Sequence, residues 1–391
     1  MEKLYYEDSE CTIFEAEVVS CTPAAGGRYL VTLDRTAFYP EGGGQPYDTG
    51  VLGSARVLEV HEKGGEILHM TDSPLETGAA VTGRVDWERR FSNMQNHSGE
   101  HILSGIIHKR FGYDNVGFHM GADAVTVDFN GVITPEELLE VETAANRLVY
   151  KNVPIITSCP SPEELHAMDY RSKKELSGEV RIVTIPDGDV CACCGTHVKT
   201  TGEIGIIKTT GMINYKGGVR ISMLCGEDAL ADYRKRQEQV TDISHLLSAK
   251  ADAVTEAVAK LKGEAAEKDM LINRLYQQIF TAKTASLSDS ASPLCLFEEN
   301  LNPVQLRQFC TMLYEQKKGR IVAVCSRNET AFQFALGSGS VDVRPVSKAL
   351  NQQLNGRGGG SSLMVQGMWN STEDQIREAV LGITLGAGEV C

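Results

Sequence analysis

Along the first 85 residues apolar and polar positions alternate in short runs, as in Tyr29-Leu30-Val31-Thr32-Leu33 and Val51-Leu52-Gly53, with glycine clusters between them. A period of two broken by turn residues predicts a small antiparallel β domain, barrel-like in form. From 86 to 226 the period changes. Met94, Ile102, Leu103, Ile106 and Ile107 recur at helical spacing and predict a helix over 92–111. A second helix, over 135–150, carries its own start signals: Thr134 as N-cap, Pro135 at the first position and Glu136-Glu137 in the first turn. Strands are expected at 124–130, 153–158, 180–185 and 203–208, so this stretch reads as an α+β domain built over the first.

From 227 to 285 the apolar residues Val240, Ile243, Leu247, Val254, Val258, Leu261, Leu271, Leu275 and Ile279 fall at threes and fours between charges. That predicts one long amphipathic helix, or a pair broken near Gly263. Lys250, Glu264 and Lys268 intrude at seam positions, so docking on a neighbouring domain and a dimer-forming coiled coil both fit. Residues 286–391 return to an α/β pattern, with strands at 293–297, 320–325 and 331–336 and helices at 302–317, 342–354 and 372–382. The glycine-rich tract 355–362 lies between the last two helices and reads as a backbone-contact loop or a plain turn. The fold class is therefore α+β in four segments: 1–85, 86–226, 227–285 and 286–391.

A length of 391 residues fits two or three domains. No apolar run approaches the roughly 18 residues a membrane span needs. The acidic start lacks a signal peptide's apolar core, so a cytoplasmic protein is expected. The eleven cysteines, an odd number, suit a reducing compartment and a core that needs no staples. Cys191-Ala192-Cys193-Cys194 stands apart, because three thiols so close are rarely mere packing. A net charge of −14 argues against broad electrostatic binding of nucleic acid. It leaves room for a local basic face from Arg84, Arg89, Arg90, Lys109 and Arg110, or from Lys199, Lys208, Lys216 and Arg220.

Two short motifs carry the candidate chemistry: His97-Ser98-Gly99-Glu100-His101 and Cys193-Cys194-Gly195-Thr196-His197. Each sets two metal-ligating side chains at i and i+4, which on a helix is one face. Together they form a four-donor N/S set of the kind zinc takes. Either half alone is a weak signal. The second pair leads into Gly, Thr and β-branched residues and reads as a turn before strands, so the two pairs must meet by folding. The triplet Gly42, Gly43, Gly44 can bring backbone close to a ligand and offer amide donors to an oxyanion or phosphate, or it can form a tight turn.

Tyr39-Pro40-Glu41-Gly42-Gly43-Gly44-Gln45-Pro46 with Asp48-Thr49-Gly50, followed by the two metal motifs and by Thr201-Gly202-Glu203-Ile204-Gly205, resembles the editing domain of alanyl-tRNA synthetase and its freestanding AlaX relatives, long form. Gly218-Val219-Arg220-Ile221 leading to Gly226-Glu227 resembles the end of that domain. Gly358-Gly359-Gly360 with Met364-Val365-Gln366-Gly367 resembles the DHH-associated domain that ends the longer members. The likeness runs along nearly the whole chain.

The resemblance implies that His97, His101, Cys193 and His197 bind one Zn²⁺. It implies a substrate, tRNA(Ala) mischarged with serine or glycine, and hydrolysis of the aminoacyl ester at its 3′ end. Four protein donors normally close a structural site. Either one ligand yields to water or substrate, or the ion orients the substrate while a second water attacks. Gly42, Gly43 and Gly44 would supply amide donors, with Gln45 as a polar contact nearby. Thr36 sits where the family has a threonine near the pocket, and is either the reader of the serine hydroxyl or an ordinary strand residue. Glu100 stands where the family often has a small or hydroxyl residue, and is either a general base or a solvent-facing helix residue. Cys191 and Cys194 flank Cys193 and could compete for the ion. Lys216, Arg220, Gly358, Gly359 and Gly360 are the expected tRNA contacts, and a homodimer through the helical connector or the last domain is a further expectation.

Because the β pattern begins almost at residue 1, no synthetase core or ATP-binding domain is expected, and no aminoacylation. A phosphodiesterase is disfavoured, since no Asp-His-His partner is present. The rival readings are a non-catalytic tRNA-binding protein with a structural zinc and a metallohydrolase of small esters.

Overall fold

Alternation of buried and exposed positions, strict over residues 13–19, lets one face of the first long strand turn inward. Six strands close into a barrel: β1 (Ile13–Pro23), β2 (Tyr29–Leu33), β3 (Gly50–Leu52), β4 (Ala55–Lys63), β5 (Glu66–Thr71) and β6 (Ala80–Val85), in the order β1-β2-β5-β4-β3-β6. Phe14, Val18, Val31, Leu33, Phe38, Leu52, Val60 and Ile67 fill its interior. At about 1.5–3 kcal/mol for each such side chain fully buried, this core is the main stabilising term of the segment. The computed structural model describes residues 1–121, 124–172, 180–328 and 331–383. Its internal contacts divide into two units, Met1–Asp242 and Ile243–Cys391.

In the first unit the barrel is followed by α1 (Trp87–Phe111), β7 (Asn115–Met120), β8 (Val125–Phe129), α2 (Pro135–Lys151), β9 (Ile156–Ser158), β10 (Ile182–Ile185), β11 (Asp189–Ala192), β12 (Ile207–Tyr215), β13 (Gly218–Cys225) and α3 (Gly226–Leu247). Two antiparallel sheets result, β12-β13-β8-β7 and β9-β10-β11. Helix α1 starts five residues before the expected 92. Asp86 stands at its N-cap position without a side-chain cap bond, and the Trp87 and Phe91 rings stack at 5.0 Å. Its apolar face is not its only buried one: Asn93, Gln95, Asn96, His97, Ser98, Glu100 and His101 are all buried too. Helix α2 has the expected start, with Thr134 and Glu137 forming a reciprocal capping box around Pro135.

Two strand expectations are corrected here. The strand expected at 203–208 begins only at Ile207, because Thr201–Ile204 forms a 3₁₀ turn and Gly205, at φ 78°, re-aims the chain. Of 153–158 only Ile156–Ser158 is strand.

In the second unit α4 (Val254–Ala285) is unbroken through Gly263. The break lies earlier, at 248–253, where Ser248 takes φ 50° and the Ser244 hydroxyl donates to the Ala249 carbonyl at 2.6 Å. Then follow β14 (Leu294–Glu298), α5 (Pro303–Glu315), β15 (Val322–Arg327), β16 (Phe332–Gly337), α6 (Val343–Gln353), β17 (Gly356–Gly360), β18 (Met364–Trp369) and α7 (Glu373–Leu381). The sheet order is β14-β15-β16-β18-β17, parallel only between β14 and β15. It is buried on both faces: Ala323 and Cys325 pack on one side, Val322 and Val324 on the other. Residues 384–391, the end of the expected last domain, lie outside the described residues.

The glycine tract is a correction of substance. Gly358, Gly359 and Gly360 form neither loop nor turn; they belong to the edge strand β17, paired with β18. A Cβ on Gly360 would stand 2.1 Å from the Met364 carbonyl oxygen, and one on Gly358 2.6 Å from that of Gln366. At Gly358 and Gly360 a side chain would run into the backbone of β18, beside the stacked Phe334 and Trp369 rings, whereas Gly359 faces open space.

Candidate metal centre

Helix α1 presents His97 and His101 on one face, a turn apart, with ring centroids 5.3 Å from each other. The loop after β11 brings Cys193 and His197 against that face. The ligating atoms of the four residues lie within 4.8 Å of one another. Gly195 is what lets this loop approach: a Cβ there would stand 2.1 Å from Cε1 of His97.

Each imidazole is held from behind. His97 Nδ1 meets Gln45 Oε1 at 2.8 Å, His101 Nδ1 meets Asp189 Oδ2 at 2.8 Å, and His197 Nδ1 meets Ser98 Oγ at 3.2 Å. A carbonyl or carboxylate oxygen can only accept, so His97 and His101 carry their proton on Nδ1 and turn a lone pair inward on Nε2. The Nε2 atoms of His101 and His197 are buried with no hydrogen-bond partner. Buried polar atoms without a partner are costly, and these two, beside His97 Nε2 and the Cys193 thiol, form a site for a cation. The His97 Nε2 to Cys193 Sγ distance is 3.4 Å. A tetrahedral ion with N and S donors at its usual bond lengths has edges of about 3.3–3.8 Å. The donor set fits a metal.

The electrostatics agree. Burial works against a charge on Cys193, but the three imidazoles outweigh it and hold the thiol well below its ordinary range. Burial pushes His197 down to about 3. Burial also opposes charge at His101, where the neighbouring Cys193 and Asp189 raise the pKa well above the imidazole value instead. Asp189 stays ionised, near 2, because hydrogen bonds from His101 and Arg171 outweigh its burial. A metal ion uses the thiolate as it stands and displaces the proton that Cys193 and Asp189 otherwise hold on His101, so binding releases a proton.

The centre forms part of the wall of a cleft of about 500 Å³, with Gly43, Gly44, Phe118, Val180 and Arg181. Gly43 (φ 60°) and Gly44 (φ 85°) are the corners of a tight turn closed by paired bonds between Gly42 and Gln45. The triplet forms the tight turn, and that turn lines the cleft. Phe118 lies 5.0 Å from the His97 ring.

Residues 1–89 match the family described as tRNA synthetases class II (A), and 180–222 the threonyl and alanyl tRNA synthetase second additional domain. The alanyl-tRNA editing protein AlaX-L of Pyrococcus horikoshii is 29% identical over 398 residues, 97% of this chain and 98% of that protein. This chain is AlaX-like. The alanine–tRNA ligase of Pyrobaculum neutrophilum is 33% identical over 408 residues, 97% of the AlaX-like chain but 44% of the ligase. That of Methanoregula boonei is 34% identical over 384 residues, 93% of the chain and 41% of the ligase. The chain thus spans less than half the length of the ligases it matches.

The other expected site residues of the AlaX-like chain lie as follows. Gln45 is no free polar contact: its carbonyl holds His97 and its amide donates to Thr196 Oγ1 at 2.8 Å. Glu100 is not solvent-facing. It is fully buried, accepting from Ser104 and Asn115 at 2.5 Å each. Cys194 is exposed, whereas Cys191 is buried with its sulfur near His101 and Asp189. Lys216 sits at a hairpin with φ 46°. Arg220 is bound to Asp128 through Nε at 2.6 Å and Nη2 at 2.8 Å and stacked on Tyr215. Arg90, expected on a basic face, is fully buried against Asp48. Sequence reasoning missed Asp189, Arg171 and Phe118, because none stands in a motif spacing, and passed over Ser98 although it lies inside the first motif, because a serine there is no metal donor.

Thr36 lies inside the barrel rather than in the cleft wall. His69 Nδ1 must donate to the Val31 carbonyl at 3.1 Å, so its Nε2 accepts from the Thr36 hydroxyl at 2.8 Å. Thr36→Val leaves that nitrogen unsatisfied and should cost about 1–3 kcal/mol in urea unfolding, with Thr36→Ser close to wild type. Burial lowers His69 to about 4. Its neutral form therefore contributes stability that is fully present above the unfolded imidazole pKa, about 6.5, and is lost as pH falls towards 4. Urea midpoints at pH 7 and pH 4.5 check this.

Proposed function

We propose that this chain is a zinc-dependent deacylase that hydrolyses the aminoacyl ester of tRNA(Ala) mischarged with serine or glycine. The observation that carries the reading is the convergence of three buried imidazoles and one cysteine beside a cleft that His97 and Cys193 line, in a chain that matches AlaX-L along almost its full length. His97, His101, Cys193 and His197 would hold the Zn²⁺. Once bound there, the ion supplies Lewis-acid polarisation of an ester carbonyl or a water of lowered pKa.

The chain's own residues do the remaining work. Gln45, Asp189 and Ser98 lock the three imidazole planes. The N–H groups of Gly43 and Gly44, not used in closing their turn, offer donors to the developing oxyanion or the 3′ ribose. Phe118 provides an apolar wall for the terminal nucleoside. The exposed row Val258, Leu261, Leu271, Leu275 and Ile279 on α4 supports a homodimer through that helix. Among the described residues no helix is long and apolar enough to cross a membrane, which fits a cytoplasmic substrate.

A four-donor set also suits a structural zinc in a tRNA-binding protein. The two readings separate on one experiment. A deacylase loses turnover on chelation and regains it with zinc, at unchanged tRNA affinity; a binding protein has no turnover to lose.

A further inference from the structure

Behind His101 the structure continues for two more links. Asp189 Oδ2 accepts from His101, and Arg171 grips the same carboxylate through Nε at 2.7 Å and Nη2 at 2.6 Å. The Asp189 side chain is 2% exposed and that of Arg171 12%. The Arg171 backbone is fixed as well. Its N–H donates to the Val190 carbonyl and its carbonyl accepts from the Ala192 N–H, a single parallel bridge to β11 at Cys191. Gly105, one turn beyond His101, makes room for Asp189: a Cβ there would lie 2.4 Å from the Gly188 carbonyl and 2.8 Å from Asp189 Cβ.

His101, Asp189 and Cys191 also bring their donor atoms within 4.8 Å of one another. A second cation there would meet the guanidinium already bonded to both carboxylate oxygens. The like charge of Arg171 argues against a two-metal site and leaves Asp189 to serve His101 alone.

Resting on the metal reading above, we propose that Arg171 is a positioning residue for the centre. Through Asp189 it fixes the plane and tautomer of His101, and it ties that ligand to the strap 168–172. The strap matters because Ser172 borders both the metal cleft and a neighbouring cavity of about 720 Å³ that Arg171, Tyr170, Lys109 and Asn115 line. A bidentate fork holds a carboxylate in one orientation, which a single ammonium does not.

Zinc affinity, measured by chelator competition on the full chain, tests this. Arg171→Gln is expected to weaken zinc binding about 10–100-fold, the usual effect of losing a ligand's outer partner. Arg171→Lys recovers part of the loss. The double variant Arg171→Gln/Asp189→Asn binds no more weakly than Asp189→Asn alone, because the arginine acts through the aspartate. With Co²⁺ in place of zinc, the absorption bands of wild type shift in Arg171→Gln. A folded Arg171→Gln with wild-type zinc affinity and an unshifted cobalt spectrum overturns the proposal, as does a strictly additive double variant. Wild-type protein that takes up no zinc overturns the metal reading itself and this inference with it.

Discussion

Cys193→Ala is expected to lower hydrolysis of Ser-tRNA(Ala) by at least about 10²-fold, several kcal/mol of transition-state stabilisation. Cys193 is the one donor of the four that carries negative charge when it ligates. Without it, three neutral imidazoles must balance a divalent ion in a buried setting, and binding weakens along with turnover. Its thiol is already held well below the ordinary range despite burial, which favours the thiolate that ligation needs. Elemental analysis and single-turnover deacylation read the two effects together. A Cys193→Ala protein with full zinc and full turnover would show that the ligand set is wrong, and would turn attention to Cys191, whose sulfur lies beside His101.

Arg90→Ala is expected to cost about 3–5 kcal/mol of stability, the usual effect of breaking a buried ion pair from one side. Asp48 would be left charged and buried, having lost bonds at 3.0 and 3.1 Å to Arg90 Nε and a further one to Nη2. The same guanidinium also caps the carbonyls of Ser9 and Ala37, so the change loosens the barrel's junction with α1. Urea unfolding should show the loss directly. The salt dependence of tRNA binding should not change, because Arg90 is fully buried and neutralises no phosphate. A weaker salt slope at wild-type stability would contradict this assignment.

The sequence showed the barrel, because alternation over residues 13–19 survives as a burial pattern, and it showed the start of α2, because Thr134, Pro135 and Glu137 act locally. The four residues that converge into a cluster compatible with a metal, His97, His101, Cys193 and His197, were legible from i, i+4 spacing together with family likeness. What escaped was non-local or ran against type. The glycines of β17 carry no alternating side chains, and only their pairing with β18 explains them. Glu100 and Arg90 read as surface residues by type, yet each is buried on a private partner. Gly263 looked like a helix breaker, but an isolated glycine in a long exposed helix costs only about 1 kcal/mol and is tolerated. Asp189 and Arg171 could not be found from spacing at all, since 88 residues separate Asp189 from the histidine it holds.

The central claim, selective zinc-dependent deacylation, is tested most directly by incubating the purified chain with Ser-tRNA(Ala) and with correctly charged Ala-tRNA(Ala), each with and without chelator. The account predicts rapid loss of serine, little loss of alanine, and abolition by chelator with recovery on added zinc. Stoichiometric zinc with no hydrolysis of either ester would contradict it, as would equal hydrolysis of both.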